Sequence, residues 1–349
     1  MHAPSKLPSL AVAALLAALS CGVRAETWLE NPVDFSYPYD DGTGERRISE
    51  LRDPAVIKVG DTWYLTHTHF PFTHSDSRDA TKPDFNSSPG IPLWSSKDLK
   101  QWKFEKWLVK SSELPDDCPY KHRFWAPEIH RIGGKFHLVF TADNWLKDEP
   151  NKGGKIGAYV AFVGVADHVT GPYEKIRWLE GAGCDTTLFE DTDGKTYAIM
   201  PFGDQFIQEV DLEQMKLVGD RTRIVSRDNT DVGTQTSPDY LEGPWMIQRN
   251  GKYILFTAAP YKKKVGELEI GYWTGAAVAD RVLGPYQKLP QVFPGGHVSV
   301  FDGPDGDAWL SYRGEAGGIA AGRLNLQPIP FASDGSVKPF HPELRVPSR

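Results

Sequence analysis

Five segments of this chain follow one plan: a polar residue able to do chemistry, a short apolar run, a turn glycine, then a second run carrying a large aromatic. The polar residues are Asp53, Glu128, Asp185, Glu242 and His297, and the turn glycines six to nine positions later are Gly60, Gly134, Gly194, Gly251 and Gly306. Tyr64, Phe136, Tyr197, Tyr253 and Trp309 follow at inward positions of the second runs. Apolar run, tight turn and apolar run make each segment a β-hairpin. Successive turn glycines lie 74, 60, 57 and 55 residues apart, which leaves room for about two more strands per unit and predicts four-stranded propeller blades. Five units predict an all-β, five-bladed β-propeller. First strands of blades line the central channel, so this phasing predicts four carboxylates and an imidazole in one pocket.

Related signals for outer strands support the repeat. Leu93 to Leu99 with Trp102, Val165-Ala166-Asp167 with Gly171-Pro172-Tyr173, and Val278-Ala279-Asp280 with Gly284-Pro285-Tyr286 recur at matching places. With 33 glycines and 27 prolines the chain suits frequent tight turns, and helix should be scarce. Blade one is expected from about Leu51 to Trp107. Residues 26 to 50 should pack across the propeller edge, and 327 to 349 read as a Pro-rich tail; ring closure by a shared blade or by simple packing is left open. Stretches at 69 to 92, 143 to 155 and 227 to 241 lack periodicity and are expected to rim the pocket.

Residues 1 to 25, with Lys6, the apolar run Leu10 to Leu19 and then Val23-Arg24-Ala25, read as a secretory signal, leaving 26 to 349 as one propeller domain in the periplasm or outside the cell. A lipid anchor at Cys21 is the competing reading, although Ala18 stands where such a box usually has leucine. The apolar run falls short of the ~20 residues a membrane span needs. Loss of Lys6 and Arg24 leaves 37 Lys and Arg against 46 Asp and Glu, a net charge of −9 where the whole chain has −7. An acidic protein whose only compact basic run is Lys262-Lys263-Lys264 is not expected to bind nucleic acid. Cys118 and Cys184 are either a disulfide or two free thiols. His67, His69 and His74 lack a Glu at zinc-site spacing, and are read as structural.

Carboxylates converging from different strands are what glycosidic bond cleavage needs, one protonated toward the leaving oxygen and one activating water or attacking. Asp53 and Glu242 are the natural pair, with Asp185 raising the pKa of the acid by like-charge repulsion. Asp-Pro and Glu-Gly-Pro are also ordinary turn sequences, and it is the shared register that favours chemistry here. Arg52-Asp53-Pro54-Ala55-Val56, Trp125-Ala126-Pro127-Glu128, Cys184-Asp185-Thr186-Thr187-Leu188-Phe189, Glu242-Gly243-Pro244 and Gly296-His297-Val298-Ser299 resemble the motifs of glycoside hydrolase family 43, over about residues 50 to 315. Thr186 departs from the proline that many members carry there.

The resemblance implies a five-bladed propeller that trims arabinose or xylose from plant cell-wall polysaccharides and oligosaccharides. It implies inversion, with Asp53 as base, Glu242 as acid and Asp185 as modulator. Trp125 would stack on the sugar or serve in blade packing, Glu128 would bind a hydroxyl or make a structural hydrogen bond, and Arg313 would reach substrate or pair with a carboxylate. His297 would hold a structural calcium in the channel or hydrogen bond in the core; no cofactor is required for the reaction. The expected activity is release of terminal α-L-arabinofuranosyl residues, with β-xylosidase, endo-arabinanase and a non-catalytic carbohydrate-binding propeller as alternatives. Fructan-cleaving propellers use Asn-Asp-Pro-Asn and Glu-Cys strings that this sequence lacks, and phosphorolysis calls for more cations than Arg52, Arg313 and His297.

Overall fold

The computed structural model describes residues 28–40, 45–69, 88–121, 123–143, 159–228, 240–263, 269–314, 322–340, 343 and 345–347. The leader with Cys21, His74, Lys264 and most of the three rim stretches lie outside the described residues. Each of the five segments opens an antiparallel meander. Blade one comprises Arg52–Val59, Thr62–Thr68, Gly90–Ser96 and Lys103–Lys110; blade two comprises Trp125–Ile132, Lys135–Asp143, Tyr159–Ala166 and Glu174–Gly183. Blade three comprises Thr187–Glu190, Thr196–Phe202, Asp204–Asp211 and Lys216–Val225; blade four comprises Glu242–Arg249, Lys252–Lys263, Glu269–Ala279 and Gln287–Pro294. Blade five has three strands, Gly296–Asp302, Ala308–Gly314 and Arg323–Pro328. Blades two and three touch at their outer edges through one parallel pair, Glu180 with Lys216. The only helical element among the described residues is a 3₁₀ turn at Ser111–Glu113, and no helix there is long and apolar enough to cross a membrane.

The hairpin glycines are present for backbone conformation, not for space. Gly60, Gly134, Gly194, Gly251 and Gly306 all have φ between +63° and +84°. A Cβ added to any of them would meet nothing within 4 Å. The left-handed turn therefore sets the residue type.

Inner strands contact one another in chain order, and the fifth returns to the first, which closes the ring. Five apolar clusters occupy the five gaps between neighbouring blades, so burial of each blade's faces requires both neighbours. Trp309, Leu324, Trp63 and Leu65 meet in the gap between blades five and one. Closure there uses the segment ahead of blade one as a partial fourth strand of blade five. Leu51 N–H donates to Gly322 O at 2.8 Å, Val33 N–H to Leu324 O at 2.9 Å, and the Asn31 amide bonds both Leu326 backbone groups. The tail also joins the body. Ile329, Val337 and Phe340 pack on the cluster between blades four and five, and Arg345–Pro347 pairs with Trp28–Glu30.

Candidate active site

Every inner strand begins with the same distortion. Asp53, Ala126, Asp185, Gly243 and His297 have φ of 52°, 44°, 54°, 49° and 54°. Register slips mark bulges at the same place, between Arg52 and Ala55, Trp125 and Glu128, Glu242 and Trp245, and Gly296 and Ser299. A bulge breaks the alternation of side chains, so the left-handed residue and the one before it can face the same side. Arg52 and Asp53, Cys184 and Asp185, and Trp125, Glu242 and His297 accordingly line one pocket, with Tyr159, Tyr240 and Arg313 around them.

Backbone groups freed by the bulges are met by hydroxyls of the neighbouring blade. Thr68 Oγ1 accepts from Ala126 N–H at 2.7 Å, and Thr141 Oγ1 accepts from Asp185 N–H at 2.9 Å. Where the ring closes, Ser299 Oγ accepts from Val56 N–H at 2.9 Å and Ser311 Oγ donates to Pro54 O at 2.7 Å. Left-handed conformation costs a non-glycine residue roughly 1–2 kcal/mol, and strain of this kind gathers at functional sites.

This geometry corrects the expected phasing. Asp53, Asp185 and His297 are equivalent, but Glu242 stands one position earlier and Glu128 two positions later. Glu128 does not line the pocket. It is buried, with Oε2 2.8 Å from His130 Nε2, and the His130 ring lies on Trp245 with centroids 5.0 Å apart. Thus three carboxylates and one imidazole share the pocket, with a fourth carboxylate in the layer beside it.

Asp53 is enclosed by donors. Its Oδ1 lies 2.9 Å from His297 Nδ1 and its Oδ2 accepts from Thr68 Oγ1 at 2.6 Å. Burial would raise its pKa, but the charge and hydrogen bond of His297, with Thr68 and Arg52, outweigh it and hold Asp53 ionised well below the usual range. Burial likewise opposes charge on His297, yet Asp53, Asp185 and Glu242 push its pKa up to about 10. Glu242 differs. Burial and the negative charge of Asp185 push it up to about 7, against opposing effects of His297 and of the Tyr272 hydroxyl. Asp185 is itself raised, by burial and by Asp53 and Glu128. Its Oδ1 accepts from the Cys184 thiol at 3.2 Å. One pocket therefore holds a carboxylate kept ionised and a carboxyl that retains its proton up to about neutrality.

No group of three His, Cys, Asp or Glu among the described residues is placed to hold a metal. His297 Nδ1 is engaged by Asp53, and its buried Nε2 has no partner among the described residues. Calcium takes six to eight oxygen ligands. The unpartnered Nε2 is the atom that would bind a channel calcium whose other ligands were water oxygens. Cys118 and Cys184 are both free thiols. His67 and His69 are buried against Tyr37, with His67 also stacked on Trp94, and burial lowers their pKa values to about 4 and about 3.

Tyr159, Tyr240 and Tyr272 escaped the sequence reading. Tyr240 stands two positions before Glu242 and was within reach of that motif. Tyr159 and Tyr272 lie on third strands, where no repeat flags them.

Fold and site define a five-bladed β-propeller with a carboxylate pocket at the head of its inner strands. The family description "Glycosyl hydrolases family 43" matches residues 48–337, and the chain belongs to that family. It is 27% identical over 293 residues to the xylosidase/arabinosidase 43B of Humicola insolens, covering 74% of this chain and 46% of that relative. It is 26% identical over 155 residues to the non-reducing end alpha-L-arabinofuranosidase BoGH43B of Bacteroides ovatus, covering 43% of this chain and 24% of the relative. The chain thus spans about half or less of the length of these relatives. Among solved structures, a thermostable family-43 glycoside hydrolase superposes with a TM-score of 0.64 at 21% identity, covering 92% of this chain and 99% of the other. The GH43 protein BlXynB of Bacillus licheniformis does so with a TM-score of 0.66 at 22% identity, covering 91% and 58%.

Proposed function

We propose that this protein is an exported glycoside hydrolase that releases terminal α-L-arabinofuranosyl residues from arabinose-containing oligosaccharides and polysaccharides. One observation carries the reading: Asp53 and Glu242 share a pocket whose neighbours push their proton affinities apart, Asp53 below the usual range and Glu242 up to about 7, which is the requirement for acid–base cleavage of a glycosidic bond. In the reaction, Asp53 takes a proton from water as the water oxygen bonds to the anomeric carbon. The bond from that carbon to the leaving oxygen breaks, its electron pair stays with the oxygen, and Glu242 supplies the proton that makes the leaving group an alcohol. Exchange with solvent returns both carboxyls to their starting states. Asp185 raises the proton affinity of Glu242, and Trp125 and Arg313, which line the pocket, would contact the sugar. No step uses a metal or cofactor.

The names of the matched relatives support arabinosidase and xylosidase chemistry alike, so β-xylosidase activity is the second reading. Export rests on the composition of residues 1 to 25. Initial rates on aryl α-L-arabinofuranoside and aryl β-D-xyloside separate the two sugars, the first being expected to react faster. Asp53→Asn and Glu242→Gln should each lose at least ~100-fold in rate, as expected for removing a general base or acid. Near-wild-type turnover by both variants would overturn the assignment, and an α-configured first product seen by proton NMR would support retention over the inversion proposed.

A further inference from the structure

Tyr272 sits on the third strand of blade four and is buried at 6% exposure, away from every repeated motif. Its hydroxyl donates to Glu242 Oε1 at 2.5 Å, the short end of the range for a bond to an ionisable acceptor. The ring is closely packed. The Arg313 guanidinium lies 4.2 Å from its centroid. The ring also rests against Gly296, where an added Cβ would fall 2.5 Å from its Cε1. Its backbone oxygen also accepts from Gly295 N–H at 2.8 Å. A ring so confined has one place for its hydroxyl, and that place is the Glu242 carboxyl.

We infer that Tyr272 is a positioning residue that selects which oxygen of Glu242 carries the catalytic proton. A protonated carboxyl has one hydroxyl and one acceptor oxygen. With Oε1 occupied as acceptor, the proton resides on Oε2 and the carboxyl is held from turning over. The same bond strengthens as Glu242 loses its proton, so Tyr272 also restrains the upward pull on this acid and makes proton release easier. Other groups facing Glu242 are fixed charges or buried acids: Asp185 and Cys184 from blade three, Asp53 and Arg52 from blade one, and His297 from blade five. Arg313 faces Tyr272, and Tyr240 precedes the Glu242 strand.

The inference rests on Glu242 being the acid of the proposed hydrolysis, and its test separates the two. Tyr272→Phe keeps the ring, its packing and its fit against Gly296, and removes one oxygen. Carbon-13 NMR of labelled glutamate carboxyls, assigned with Glu242→Gln, should show the Glu242 titration moving up by about one pH unit in Tyr272→Phe. Site-specific 3,5-difluorotyrosine at 272, a stronger donor of nearly the same shape, should move it down. In kinetics, Tyr272→Phe should lose about tenfold in kcat on alkyl or unactivated aryl glycosides with KM little changed, and approach wild type on a dinitrophenyl glycoside that needs no protonation. A titration unmoved in both variants, or an equal loss on every leaving group, overturns the inference. A wild-type protein inactive on all pentosides overturns the proposed hydrolysis instead, and the titration alone then decides whether Tyr272 governs Glu242.

Discussion

Replacing Asp185 by Asn removes a negative charge from the pocket while keeping the size of the side chain and the backbone bond to Thr141. Burial, the largest cause, and Asp185, the second, push Glu242 from its ordinary 4.5 up to about 7. Burial persists in Asp185→Asn, so only part of the elevation is lost. A fall of about one pH unit is expected, equivalent to about 1.4 kcal/mol. Wild-type Glu242 is about half protonated at neutral pH, and the variant would be about one-tenth protonated there, a loss of roughly fivefold from protonation alone. The measurement is kcat/KM against pH for wild type and variant on one aryl arabinofuranoside, since this parameter reports groups of the free enzyme. The basic limb should move to lower pH, with the two proteins most alike on the acid side. Because Asp185 and Glu242 interact, the wild-type limb belongs to the pair, and the variant should titrate as a single group. A basic limb that stays in place or moves up would refute the electrostatic role given to Asp185.

Other substitutions probe the same frame. In Gly243→Ala the new Cβ would lie 2.9 Å from the His297 ring at a φ of +49°. It should cost about 1–2 kcal/mol for the backbone alone and reduce activity by displacing His297 from Asp53; wild-type melting and turnover would contradict this. Stability should also depend on pH in a defined direction. Glu242 and His297 keep protons in the fold that the unfolded chain releases near 4.5 and 6.5, so the stability they contribute is full below those values and is lost as pH rises through about 7 and about 10. Asp53, held low, acts oppositely and loses its contribution only as pH falls below the ordinary aspartate range. Subtracting Glu242→Gln unfolding free energies from wild type between about pH 4 and 8 isolates the first of these, and a difference rising with pH would reverse the assigned sign.

Much of this was legible in the chain because hairpin signals are local. The glycines at 60, 134, 194, 251 and 306 announce left-handed turns whatever surrounds them, and five turns at blade spacing are enough for a propeller. Asp53, Asp185, Glu242 and His297 were singled out for the same reason, since they stand seven to nine positions before those turns. Glu128 was placed wrongly in the pocket by that counting. Counting toward a turn assumes strict alternation, and the bulge between Trp125 and Glu128 sets aside two residues before alternation resumes.

Sequence alone announced five hairpins at blade spacing and put Asp53, Asp185, Glu242 and His297 near the entries of their inner strands, because a hairpin signal is carried by residues close together in the chain. Tertiary structure alone decided the charge states, the closure of blade five by Asn31, Val33 and Leu51, and the approach of Tyr272 to Glu242. Those follow from burial and from neighbours on other blades, and a carboxyl's proton affinity is a property of everything packed around it.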